Sequence, residues 1–185
     1  AEKNLSKEDL LHNDANGFYP GLHHSDIAKW TEEGKIGSFL HVLEAEEANL
    51  LQKLAQKSRL KIPLLIGIDA IHGNGLYKGA TLYPTPISMA ATFEPSLVKK
   101  IGEQTALEMR ATGSHWAFTP NIDVARDPRW GRVGETFGED PMLVTDMGVA
   151  MIEGMQQGDF TGDKKVIACI KHLLAGSESA NGLNA

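Results

Sequence analysis

Between positions 62 and 68 the chain reads Ile62-Pro63-Leu64-Leu65-Ile66-Gly67-Ile68, apolar on successive residues rather than on alternate ones. A strand with apolar side chains on both faces is buried on both, which points to a parallel strand in a sheet covered by helices. Three further short apolar runs fit the same reading: one at 36–40, one at 116–119 and one at 166–170. Helical spacing fills the intervals between them. Leu50, Leu51, Leu54 and Ala55 recur on one face of the 44–59 segment, and Pro95 opens a stretch continued by Leu97, Ile101, Thr105 and Met109. Asp140-Pro141 supplies a capping acid and a first-turn proline for a third helix, whose stripe of Leu143, Met147, Met151 and Met155 is read as core packing. No Asn-Gly turn joins two strands directly. Four strands alternating with three helices predict an α/β chain with parallel strands and right-handed crossovers. A closed barrel and a doubly wound sheet both satisfy that alternation, and in either one ligands gather at the carboxyl ends of the strands.

The 185 residues are 42% hydrophobic and 23% charged, with 18 basic against 24 acidic side chains and a formal net charge of -6. Nothing approaches the roughly 20 consecutive apolar residues of a membrane helix, and no basic excess suggests a nucleic-acid partner. The single cysteine, Cys169, rules out an internal disulfide and a multi-cysteine metal site; inside its apolar run it is expected to be a buried core thiol. No basic segment followed by an apolar stretch marks a signal peptide, although Ala1 is compatible with a start left by cleavage. Residues 1–34, broken by Asn13 to Gly17 and by Pro20-Gly21, are expected to form an opening loop or short helix near Ile27 to Glu32, leaving 35–185 as the α/β unit. That length buries a real core yet is short for an eight-unit barrel of roughly 250 residues.

Polar residues directly after strands carry the functional weight. Asp69 follows Ile66-Gly67-Ile68 and precedes Ala70-Ile71-His72-Gly73. A carboxylate there can accept hydrogen bonds from vicinal hydroxyls or transfer a proton, and equally it can cap a turn or pair with an arginine. The loop from Asn121 to Glu135 packs Arg126, Arg129 and Arg132 with Asp123, Asp127 and Glu135. Arginine forks bind carboxylates bidentately, so at least two of the three arginines are expected to hold the loop, leaving one to face a ligand. Trp130 is expected to pack, its ring also being able to stack on a sugar. Lys171 and His172 end the fourth strand, as donors to a polar ligand or as surface residues; strand alternation lets at most one face straight inward unless the backbone bends. No His pair at i, i+4 flanks a glutamate, Gly73, Gly75 and Gly79 lack the spacing of a dinucleotide loop, and neither a Gly-x-Ser-x-Gly elbow nor a phosphate loop occurs. No metal or organic cofactor is implied.

The order of these motifs resembles glycoside hydrolase family 3. Gly67-Ile68-Asp69-Ala70-Ile71-His72-Gly73 is followed by Arg126-Asp127-Pro128-Arg129-Trp130-Gly131-Arg132 with Glu135, by Phe137-Gly138-Glu139-Asp140, and by Ala168-Cys169-Ile170-Lys171-His172. The likeness runs from about Ile36 to His172. It implies part of a (β/α)₈ TIM-type barrel with about half of its strands, from a retaining exo-acting β-glucosidase acting on terminal β-D-glucosyl residues. Asp69, Arg132, Lys171 and His172 would then hold the hydroxyls of the terminal sugar. The nucleophile and the general acid of the family belong to segments with no match here, so the catalytic pair is expected outside this chain, which would itself be a truncated, proteolysed or partial enzyme, inactive alone. Members specific for N-acetylglucosamine continue Lys-His with a Phe-Pro-Gly-His-Gly loop, whereas Leu173-Leu174-Ala175-Gly176-Ser177 follows here. The resemblance implies a β-glucoside or oligosaccharide substrate, the remaining barrel half and a second domain as partners, and a periplasmic or secreted address, with a cytoplasmic one open. The rival readings are a β-xylosidase of the same family, a non-catalytic carbohydrate-binding half barrel that self-associates through open strand edges, and an unrelated α/β enzyme using Asp69 as base.

Overall fold

A computed structural model describes residues 24–158, 162–173 and 176–183. The expected opening loop lies, up to residue 23, outside the described residues; the short helix is present as α1 (His24–Glu32). There follow β1 (Ser38–Leu40), α2 (Ala45–Ala55), β2 (Leu65–Ile68), α3 (Pro86–Ala90), α4 (Pro95–Ala111), β3 (Trp116–Ala117), α5 (Pro141–Gln156) and β4 (Ile167–Ala168), with a 3₁₀ turn at Val133–Glu135. Helix α5 begins as its sequence dictates, with the Asp140 carboxylate accepting from the Met142 and Leu143 amides at 2.8 and 2.9 Å and Pro141 in the first turn.

The four strands are parallel and lie in the order β1-β2-β3-β4. A doubly wound sheet reverses its strand order at a switch point, whereas a barrel wall adds each strand beside the last. The described sheet is therefore part of a (β/α) barrel wall. In its register Leu40 pairs with Gly67, Gly67 with Trp116, and Trp116 with Ile167, so these four share the face turned away from the helices. The Trp116 and Phe118 rings lie 4.5 Å apart and lean over Gly67, where a Cβ would stand only 2.6 Å from Phe118.

The opposite face feeds two apolar clusters. Ala28 of α1 and Leu51 and Leu54 of α2 enclose Ile66, while the larger cluster joins Ile68 to Val98 and Met109 of α4 and to Met147, Met151 and Met155 of α5. The methionine stripe is thus core, as its spacing implied. Helices α4 and α5 touch backbone to backbone, because a Cβ on Gly154 would collide with the Lys99 carbonyl and one on Gly102 would stand 2.8 Å from the Met151 carbonyl oxygen.

Two expectations need correction. The strand at 62–68 starts only at Leu65, and Ile62 is 63% exposed, since the two-faced burial holds for the inner residues alone. Cys169 is half-buried rather than a core thiol, with Ile167 and Ile170 39% and 44% exposed beside it, because β4 is an edge of the described sheet. The single-turn α3 adds an element between the expected strands and helices; Pro86 starts it, and Met89 and Ala90 are buried.

Candidate active site

Asp69 stands one residue beyond β2, on the same face as Gly67. Its Oδ1 accepts from Lys171 Nζ at 2.7 Å, a charge-assisted bond that spans the sheet from the second strand to the fourth. Its Oδ2 lies 3.1 Å from Nε2 of His41, a residue just past β1 with a left-handed backbone, φ 56°. The Asp69 amide also lies 3.3 Å from that same nitrogen, so a protonated Nε2 donates to the carboxylate and an unprotonated one accepts from the amide. Both oxygens of Asp69 are thereby oriented, and each keeps a lone pair for a further donor.

His172 is held by a different acid. Its Nδ1 lies 2.8 Å from Oδ2 of Asp123, whose side chain is 2% exposed. The pairing of β3 with β4 resumes past the strands at Asn121 and Lys171, where the Ile122 amide donates to the Lys171 carbonyl at 2.8 Å. That bridge sets Asp123 beside His172. The Lys171–His172 peptide bond is cis, as is Thr119–Pro120, and the two adjacent side chains both reach carboxylates at this end of the sheet.

Arg132 comes from the long loop after β3. Its Nε and one terminal nitrogen bind the two oxygens of Glu135 at 2.9 and 2.7 Å. This pairing raises the guanidinium pKa further, against a smaller opposing effect of burial, with the charges of Glu135, Asp123 and Asp69 adding to it. Glu135 is held below the usual carboxylate range chiefly by Arg132, with Lys171 and His172 contributing. The four residues singled out by sequence thus gather in one field, although only Asp69 and Lys171 touch each other among the described contacts.

The remaining loop charges behave as fasteners. Arg129 clasps Asp127 at 2.7 Å, holding that carboxyl near a pKa of about 2, and Arg126 faces Glu178 at 3.6 Å. All three loop arginines have acidic partners, in line with at least two of them holding the loop, and Arg132 is itself pinned by Glu135. Trp130 is buried, as expected of a packing aromatic. Two positioning side chains escaped the sequence reading. His41 had the signal that marked Asp69, a polar residue directly after a strand, and Asp123 was counted only among the loop acids. A depression of about 230 Å³ opens beside Asp123 and His172, bordered also by Val124, Arg126 and Glu178. Asp69, Lys171 and Arg132 do not line it.

Comparison with known proteins follows the same geometry. Residues 21–185 match the Glycosyl hydrolase family 3 N terminal domain. A beta-xylosidase of Formosa agariphila is 43% identical over 159 residues, covering 81% of this chain and 22% of its own length. A periplasmic beta-glucosidase of Salmonella typhimurium is 32% identical over 150 residues, covering 80% and 19%. The solved structure of a beta-glucosidase involved in saponin metabolism from intestinal bacteria superposes with a TM-score of 0.76 at 44% identity, over 80% of this chain and 20% of that one. The chain spans about a fifth of the length of the relatives it matches. With the strand order, the strand-end cluster and these matches in agreement, the chain belongs to glycosyl hydrolase family 3, in its N-terminal domain.

Proposed function

We propose that this chain is the sugar-holding part of the catalytic barrel in a retaining exo-acting β-glucosidase that removes terminal β-D-glucosyl residues. The observation that carries the reading is the Asp69 carboxylate, fixed by Lys171 and His41 at the carboxyl ends of the strands with lone pairs to spare. Vicinal hydroxyls of a pyranose suit such an acceptor, Lys171 and Arg132 supply donors around it, and His172 stands beside them as a further polar contact. Remote hydroxyl contacts of this kind orient the ring so that binding energy is spent at the reacting carbon. Retaining hydrolysis also needs two carboxyl groups about 5–5.5 Å apart, one attacking and one protonating. Asp69, Asp123 and Glu135 are each committed to basic partners, so the reading assigns nucleophile and general acid to other parts of the protein.

In this reading residues 35–185 form part of the barrel and 1–34 lead into it. The remaining barrel strands and a second domain complete the site, and the address is periplasmic or secreted, in keeping with the periplasmic relative. No described helix is long and apolar enough to cross a membrane. A second reading, β-xylosidase, draws on the 43% identity to the Formosa agariphila enzyme. The test is kcat/KM of the whole natural protein on aryl β-glucoside and aryl β-xyloside. A higher value for the glucoside is expected, and Asp69→Ala should lower it by about 100-fold or more, as for the loss of two charge-assisted hydrogen bonds. Preference for the xyloside would select the second reading, and unchanged kcat/KM in Asp69→Ala would remove the site assignment.

A further inference from the structure

Asp123 sits at the junction of two constraints. Its backbone amide donates to Asn121 Oδ1 at 2.8 Å, and Asn121 is itself bridged to Lys171 across the sheet. Its carboxylate, almost wholly buried, meets one side-chain group among the described residues, Nδ1 of His172. Gly176 closes the other side. A Cβ there would stand 2.8 Å from the His172 Cβ and 3.3 Å from Asp123 Oδ1, so the imidazole is confined between glycine and carboxylate. Among the described residues the second ring nitrogen, Nε2, has no hydrogen-bond partner, and the ring is about one-third exposed.

A carboxylate offers only lone pairs, so a short contact to Nδ1 requires the proton there. In a neutral ring the other nitrogen then carries the lone pair. We infer that Asp123 is a positioning residue that fixes His172 as the Nδ1–H tautomer and turns Nε2 outward as a hydrogen-bond acceptor for a sugar hydroxyl. The second half of this statement rests on the glycosidase reading; the first does not. Asp123 touches no substrate in this account. Its effect is transmitted through which His172 nitrogen holds the proton, as when an acid sets the tautomer of a catalytic histidine. The site thereby presents an acceptor at His172 beside the donors of Lys171 and Arg132, so that one hydroxyl can donate to the imidazole and accept from a cation.

The test separates the two halves. In whole natural protein labelled with ¹⁵N at histidine, at a pH where the ring is neutral, the His172 resonances are assigned by their loss in His172→Gln. The expected result is a pyrrole-type Nδ1 and a pyridine-type Nε2 without sugar. In Asp123→Asn the carboxamide can donate to Nδ1, and the tautomer should reverse. A predominant Nε2–H form in the native protein, or the same tautomer in Asp123→Asn, would overturn the inference whatever the enzyme's activity; the native spectrum decides even if the variant misfolds. Kinetics then read the second half. Asp123→Asn should lower kcat/KM for the aryl glycoside by about tenfold or more, the worth of one good hydrogen bond. A reversed tautomer with unchanged kcat/KM would keep Asp123 as the positioning residue and remove His172 from the sugar contacts.

Discussion

Two kinds of charged pair share the carboxyl end of this sheet. In the loop after β3 two of them close over short distances in sequence, Asp127 with Arg129 two residues on and Arg132 with Glu135 three residues on, while Arg126 faces the distant Glu178 only loosely at the surface. At the strand ends they close over long ones: Asp69 meets His41 across 28 residues, Asp123 meets His172 across 49, and Asp69 meets Lys171 across 102. Short-range pairs cost little chain entropy and form wherever a turn brings them together, so they shape a loop without needing the fold. Long-range pairs exist only because four separate segments have been set side by side. Two of their members lie deepest, the Asp123 side chain at 2% and Lys171 at 15% exposed, whereas Asp69 and His41 at 36% and 30% are as open as the Arg132–Glu135 pair. The contrast separates a pair that serves the loop alone, Asp127–Arg129, from charges that the fold has assembled for use; Arg132 belongs to both, fixed locally by Glu135 and set in the field of Asp123 and Asp69.

Lys171→Ala attacks the longest-range pair and should have the largest effect among these tests. It removes one hydroxyl donor and frees an oxygen of Asp69, so kcat/KM for an aryl β-glycoside is expected to fall by about 100-fold or more. A loss smaller than fivefold would put Lys171 with the fasteners. Glu47 sharpens the comparison from another side, as a buried acid in the first turn of α2 with no basic partner among the described residues. Burial, followed by the nearby charge of Glu44, pushes its pKa from the ordinary 4.5 up to about 7. Between those pH values the folded chain keeps a proton that the unfolded chain has lost. Stability should therefore fall as pH rises through that window and level off above it. Glu47→Gln should flatten this dependence and make the protein more stable at pH 8, by up to about 3 kcal/mol, as read by urea unfolding at pH 4.5 and pH 8. Parallel pH profiles for both proteins would contradict it. At the small end, Arg129→Ala removes an exposed local pair and should leave kcat/KM within about twofold and the melting temperature essentially unmoved. A marked loss of activity would erase the distinction between loop fasteners and site charges.

The same distinction explains how much of the molecule was legible in the sequence. Helical stripes, Pro-initiated first turns and the two-faced run at 62–68 are local signals, and α4 and α5 fall where those signals place them. The choice between barrel and doubly wound sheet was not local, since it depends on the order in which strands neighbour one another. Asp69, Lys171 and Arg132 were legible from position and motif, but their partners were not. His41 reaches Asp69 from another strand end, and Asp123 finds His172 through the Asn121–Lys171 bridge, neither of which spacing reveals. Cys169 was misplaced for a related reason. An apolar run signals burial only if its strand has neighbours on both sides, and β4 has one in the described sheet.

The central claim is that Asp69, Arg132, Lys171 and His172 converge on one sugar. A crystal structure of the whole natural protein with bound glucose tests it most directly. The account expects ring hydroxyls within about 2.6–3.2 Å of all four side chains, with the Asp69–Lys171 contact retained. Glucose seated elsewhere, or held here without Asp69 and Lys171, would contradict it.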